Sequence, residues 1–253
     1  MGGIPIPRLE GEICMWKNNA GLCRTVLMSA AVVAAVPVMG EAAVIPISGN
    51  TADAAPRSNN SVIDATNATF FVGHGSDNNV GSPVFVFQLP ALPAGEGVTS
   101  AVFDGRYSAD DSEDLRVDLY ALAVRSSATV LASDFGEGET PAGPVGQTKI
   151  ADDFVTGSTS QGRLTTNASQ SLVLGGFLAA NYSAGEYLFV RLTPVNPDRD
   201  GTNDRYRFNT ANDPDLGDQP ILTLTTAEAV VPEPTSFALA AAGAGLLMVR
   251  RRR

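Results

Sequence analysis

Leu115-Arg-Val-Asp-Leu-Tyr-Ala-Leu-Ala123 carries the period that decides the fold. Leu115, Val117 and Leu119 alternate with Arg116 and Asp118, and a repeat of two predicts a strand with one buried and one wet face. Similar β-type runs occupy 69–72, 84–89, 98–103, 187–193 and 221–225, with Gly, Pro, Asn, Asp and Ser between them. Val84-Phe-Val-Phe87 is apolar on both faces, which predicts a strand in the middle of a sheet. Only 170–181 reads as a helix, and Gly175 and Gly176 weaken it. No internal repeat is evident. Many short strands with regular turn signals predict an all-β fold, a single antiparallel β-sandwich of jelly-roll type.

Composition narrows the chemistry. The 253 residues carry a formal charge of −10. Cysteine occurs only at Cys14 and Cys23, so the region beyond them has neither disulfides nor thiolate metal sites. His74 is the only histidine, and any catalytic triad or histidine-bound zinc must be built on it. It sits in the glycine turn Gly73-His-Gly75, which predicts a solvent-facing side chain. From 43 to 231, ten Lys and Arg stand against 23 Asp and Glu, about −13. That charge opposes nucleic acid and anionic lipid, and suits an extracellular protein or one that gathers divalent cations.

Both ends read as processing signals. Lys17 and Arg24 precede an apolar stretch over 25–39, and Gly40-Glu-Ala42 offers small residues for a cut after Ala42. These features predict an export signal over 1–42, with an upstream extension if translation starts at Met1 and not at Met15. Residues 43–60 then read as a flexible leader, 61–226 as the β-domain and 227–253 as a tail. The tail contains Pro232, Glu233 and Pro234, an apolar run over 237–249, and Arg250, Arg251, Arg252 and Arg253. That run predicts a short membrane helix, with the arginines as a basic cytoplasmic stop.

The tail resembles the PEP-CTERM sorting signal. The resemblance implies recognition by an exosortase after passage through the secretion machinery, and a transient stay in the inner membrane. It also implies release to the cell surface or exopolysaccharide matrix. The body is similar to DNRLRE domains, extracellular β-sandwiches akin to carbohydrate-binding modules. Gly75-Ser-Asp-Asn-Asn-Val-Gly81, Phe85-Val-Phe-Gln-Leu-Pro-Ala-Leu92, Val98-Thr-Ser-Ala-Val102 and Pro220-Ile-Leu-Thr-Leu224 carry that similarity. It implies a polysaccharide ligand.

Candidate chemistry is sparse. Asn196, Asp198, Asp200 and Asp204 place oxygen side chains around Gly201, the spacing a calcium loop uses, with Asp213, Asp215 and Asp218 near enough in sequence to help. Arg207 stands where an EF-hand needs its closing glutamate. Asp110, Asp111, Glu113 and Asp114 form an acidic run, read as a solvated loop. No carboxylate pair is singled out for a glycosidase. Tyr107, Tyr120, Tyr182 and Tyr206 are candidates for sugar stacking, and read more simply as half-buried strand residues. The expectation is a secreted, non-enzymatic surface or matrix protein that binds polysaccharide. A purely structural role and a glycan hydrolase are the alternatives.

Overall fold

The computed structural model describes residues 42–63, 66–111, 114–200 and 203–228. The signal segment before Ala42, and the tail with Pro232, Glu233, Pro234 and Arg250 to Arg253, lie outside the described residues. Among the described residues the fold is all-β with one α-helix, and every strand pairing is antiparallel.

The strands are β1 (Val44–Ser48), β2 (Ala55–Pro56), β3 (Val62–Ile63), β4 (Thr69–His74), β5 (Val80–Gly81), β6 (Val84–Gln88) and β7 (Glu96–Asp110). They continue with β8 (Val117–Arg125), β9 (Thr148–Val155), β10 (Gly162–Thr165), β11 (Tyr187–Pro194), β12 (Asp204–Asn209) and β13 (Ile221–Glu228). The helix α1 is Ala168–Asn181. A larger sheet runs β1-β13-β7-β12-β4-β5, with β10 also on β7, and a four-stranded sheet runs β6-β11-β8-β9. Strands β2 and β3 form a small ribbon.

Side chains of both sheets meet in one core. Phe103 of β7 lies 5.6 Å from Phe85 and 6.1 Å from Phe87 of β6, ring centre to ring centre, and 6.1 Å from Phe154 of β9. Tyr107 of β7 stacks on Phe208 at 5.7 Å and meets Tyr206 edge-on at 5.4 Å. Such pairs add about 0.5–1.5 kcal/mol each beyond the area they bury. Leu174, Phe177 and Leu178 bring one face of α1 into the same core.

The helix forms where the sequence places it. Asn167 caps it by accepting from Gln170 N at 3.0 Å, and the Gln170 side chain returns the bond to Asn167 N at 2.8 Å. Gly175 is a condition of packing: a Cβ there would come within 2.5 Å of Ser100 Cα on β7. Gly176 faces open space.

Four expectations need correction. The leader expected over 43–60 belongs to the folded body. Strand β1 pairs with β13 from Val44–Thr225 to Ser48–Ile221, and Asp53, Ala54 and Ala55 are buried. Strand β6 is an edge strand of its sheet, not a central one. Its apolar outer face packs with Ala54, Val62 and Val130, and residues 50–54 run along its free edge like a substitute strand. Ala54 exchanges backbone bonds with Val84, and Asn50 N donates to Val86 O at 2.7 Å. The Asp53 carboxylate completes the ladder, accepting from Val86 N at 2.8 Å and Ala211 N at 2.9 Å. Asp118 is buried, since Lys149 and β9 cover the face of β8 expected to be wet. His74 closes β4 opposite Asp204 and is 1% exposed, because strand pairing on both sides encloses the glycine turn.

Two stability predictions follow from these contacts. Gly175→Ala clashes with Ser100 and destabilises by about 1–3 kcal/mol, whereas Gly176→Ala gains helix propensity and stabilises by up to about 1 kcal/mol. Urea unfolding of both variants checks the opposite signs. Burial raises the Asp53 carboxyl from 3.8 to about 7, against the two backbone N–H groups that pull it down. The native state therefore holds this proton more tightly than the unfolded chain. Its stabilising contribution is full below the unfolded value and is lost as pH rises through about 7. Asp53→Asn turns an N–H of its own toward a backbone donor and costs roughly 1–3 kcal/mol. The gap between the native protein and this variant narrows as unfolding is measured from pH about 4 to pH about 8.

Candidate functional site

Three strand ends of the four-stranded sheet come together: the start of β8 and the ends of β9 and β11, where Val117 pairs with both Val155 and Pro194. The loops beyond them enclose an open cleft of about 440 Å³ lined by Asp114, Arg116, Thr156, Gly157 and Ser158. Thr156 Oγ1 lies 3.0 Å from Ser158 Oγ, and Thr159 Oγ1 accepts from Thr156 N at 3.0 Å. The cleft thus presents hydroxyls and backbone on one wall and a guanidinium on the other.

Arg116 is gripped from the next loop. Its N–H donates to Asn196 Oδ1 at 3.0 Å, and its carbonyl accepts from Val195 N at 2.8 Å. Its guanidinium bonds Glu139 at 2.6 Å and approaches Asp153 at 3.5 Å. Arg199 bonds both oxygens of Glu137 at 2.6 Å. These pairs are exposed, so solvent screens them and each adds little to stability. Their effect is to orient the rim.

That rim depends on a buried arginine. Arg191 in β11 is fully buried; its Nε donates to Thr193 Oγ1 at 2.9 Å, and its other nitrogens donate to Asp134 O, Ala142 O and Gln147 Oε1 at 2.9, 3.2 and 3.0 Å. Three of these acceptors lie on the loop between β8 and β9 that carries Glu137 and Glu139. Burial pulls the guanidinium down to about 10, opposed by Tyr120 and Asp134, so it stays charged at neutral pH. Arg125 pins the same loop through two bonds to Asp134, at 2.8 and 2.5 Å. The sequence signal for Arg191 was a lone charge inside Tyr187-Leu-Phe-Val-Arg-Leu, a run otherwise apolar on both faces.

The residues of the expected calcium loop take part in backbone turns. Asn196, Asp198 and Asp200 are exposed, and Asp204 is buried at the start of β12. Asp204 Oδ2 accepts from Asp198 N at 2.6 Å, and Asp198 Oδ1 accepts from Asp200 N at 3.1 Å. Gly201 and Thr202 lie outside the described residues. Asp213 and Asp215 likewise accept from the backbone of Asp215 and Gly217, at 2.8 and 2.9 Å, and Asp218 lies 3.6 Å from Arg106. Among the described residues no three acidic, His or Cys side chains converge to hold a metal. The oxygens that alternate in sequence accept backbone N–H groups of these turns.

The tyrosines form no sugar platform. Tyr107 and Tyr206 are fully buried, Tyr120 is 5% exposed, and half-buried Tyr182 donates to Pro90 O at 2.6 Å. In the acidic run, Asp111 bonds Arg205 and Arg207 at 3.1 and 3.3 Å, tying the end of β7 to β12.

No family model matches the chain, and no curated protein sequence matches it.

Arg191→Lys keeps the charge but loses the fork, leaving buried carbonyls without donors. It lowers stability by roughly 2–4 kcal/mol and speeds amide exchange over 134–147 before any other loop, as read by urea unfolding and hydrogen-exchange mass spectrometry.

Proposed function

We propose that this chain is an exported, non-enzymatic protein of the cell surface or exopolysaccharide matrix, sorted by an exosortase through its C-terminal tail and binding polysaccharide. The observation that carries this reading is the order Pro232-Glu-Pro234, apolar run, Arg250 to Arg253, set four positions beyond Glu228, where the last described strand ends. A recognition segment so close to a folded edge leaves the tail as the part a processing enzyme meets. Pro232 and Pro234 flank Glu233 in sequence, and the arginines suit a cytoplasmic stop.

We read the two sheets as halves of a β-sandwich of jelly-roll type, a reading supported by the core they share through Phe85, Phe87 and Phe103. The polysaccharide contact is assigned to the cleft of Asp114, Arg116, Thr156 and Ser158. Its hydroxyls and single guanidinium offer hydrogen bonds to sugar hydroxyls or carboxylates without a metal. The acidic surface keeps such a protein soluble within a matrix.

Two measurements test the proposal. Intact-mass analysis of the protein from its own host is expected to find a chain lacking Arg250 to Arg253; recovery of those arginines on the surface protein defeats the sorting assignment. The exported protein is also expected to be retained by the host exopolysaccharide equally in calcium and in chelator. Arg116→Ala should weaken that retention about tenfold, the scale of one charge-assisted hydrogen bond. Absence of retention in either buffer makes the protein a passive structural component.

A further inference from the structure

Lys149 is the only lysine beyond Lys17, and it is held against a buried carboxylate. Its Nζ lies 2.7 Å from Asp118 Oδ2 and 2.7 Å from Asp152 Oδ1. The Asp118 side chain is 2% exposed and that of Lys149 28%. Asp118 Oδ1 accepts the backbone N–H of Asp153 at 2.9 Å. The Tyr120 ring lies 5.6 Å from Nζ and walls the pair on one side.

The backbone is bent to make this arrangement. The β8–β9 register slips between Val117 and Leu119, so that residues between Ala151 and Val155 bulge opposite Asp118. Asp153 sits in this bulge with φ of +48°, a conformation that non-glycine residues rarely adopt. The bulge delivers two things at once: the Asp152 carboxylate to the lysine and the Asp153 N–H to the aspartate. A plain ion pair between neighbouring strands needs neither.

We propose that Lys149 and Asp118 form a covalent isopeptide bond, made by the folded protein itself, with Asp152 as the proton relay. Burial lowers the Lys149 ammonium, but its bonds to Asp118 and Asp152 outweigh that and hold it above the usual lysine value, so the ion pair is the state before reaction. Asp152 takes one proton from Nζ and passes it to Asp118 Oδ2, giving an amine beside a neutral carboxylic acid. The Nζ lone pair attacks Cγ, an N–C bond forms, and the negative charge moves to Oδ1, where the Asp153 N–H receives it. Asp152 then carries a second proton from nitrogen to the Oδ2 hydroxyl, the C–Oδ2 bond breaks, and water leaves. One ammonium and one carboxylate become one amide and one water, with no oxidant or co-reactant. Contact at 2.7 Å inside a fixed fold supplies the proximity that free amine and acid lack in water.

The native full-length protein is its own probe. Denatured and digested with trypsin, an unlinked chain releases Val117-Asp-Leu-Tyr-Ala-Leu-Ala-Val-Arg125 and is cut after Lys149. The linked chain instead gives one branched product that joins this peptide to 126–163, uncut at Lys149 and one water lighter than its parts. Free 117–125 peptide together with cleavage after Lys149 overturns the bond. Asp152→Asn keeps an acceptor for the lysine and removes the base; its branched fraction should fall by about a hundredfold or more, with an unchanged circular dichroism spectrum. A fully linked Asp152→Asn protein overturns the relay.

Discussion

The meeting of Phe103 with Phe85, Phe87 and Phe154 is the contact on which the remaining structure rests. Phe103 lies near the middle of β7, which takes β13 along its first part and β12 along its last. Strand β10 pairs with the same region, and α1 sits on Ser100. With no disulfide available beyond Cys23, the two sheets are held to each other by side-chain packing. Losing such a ring from a core costs about 3–5 kcal/mol, a large share of the margin by which a domain of this size is stable. Strand β7 is therefore the axis of assembly, and its sequence tolerates little change on the inner face.

The four-stranded sheet poses a second problem, because both of its faces are apolar. One faces the Phe103 core; the other carries Val84, Val86, Tyr120, Leu122 and Phe189. Only the small β2-β3 ribbon, through Val62, brings regular structure onto that outer face among the described residues. Residues 50–63 and the β8–β9 loop lie over it, and their polar backbone must find partners there. Buried and half-buried polar side chains meet that need. Asp53 serves β6 on one side and Ala211 on the other, and Arg191 and Arg125 fasten the loop by its carbonyls and by Asp134. Isolated, each of these charges would be costly to bury; with every hydrogen bond made, each becomes a fixed joint. The chain thus covers a sheet with a two-stranded ribbon and a long loop fastened by polar side chains.

Much of this was legible in sequence where a residue's type answers to its immediate neighbours. The six strands read from β-type runs all form, and the helix read over 170–181 forms as Ala168–Asn181. What was not legible depends on pairing at a distance. Val84 to Phe87 suggested a central strand because local pattern reports that both faces are covered, not by what. Asp118 read as wet because its cover, Lys149, lies 31 positions away. The strand Asp204–Asn209 was not read from sequence at all, since its Asp and Arg residues hide a strand paired on both sides. At the cleft, Asn196 was legible as a loop residue with a use for its side-chain oxygen, but its partner proved to be the Arg116 backbone. The export and sorting readings rest on local motifs outside the described residues, and no fold is needed to propose them.

One consequence concerns how the body is presented. The chain enters beside Thr226, where Ala43 O accepts its N–H at 2.9 Å, and leaves after Glu228, which pairs with Glu96 at the start of β7. The cleft lies near the other end of that strand, where Asp111 N bonds Arg205 O and Tyr206 Oη bonds Leu115 O. At roughly 3.3 Å per residue, β7 separates the two by roughly 45 Å along its length. Any tether through either flank therefore pulls at one pole and leaves the opposite pole facing outward. Ala43 and Glu228, at the two flanks of the described β-body, thus meet at the same end of its longest strand.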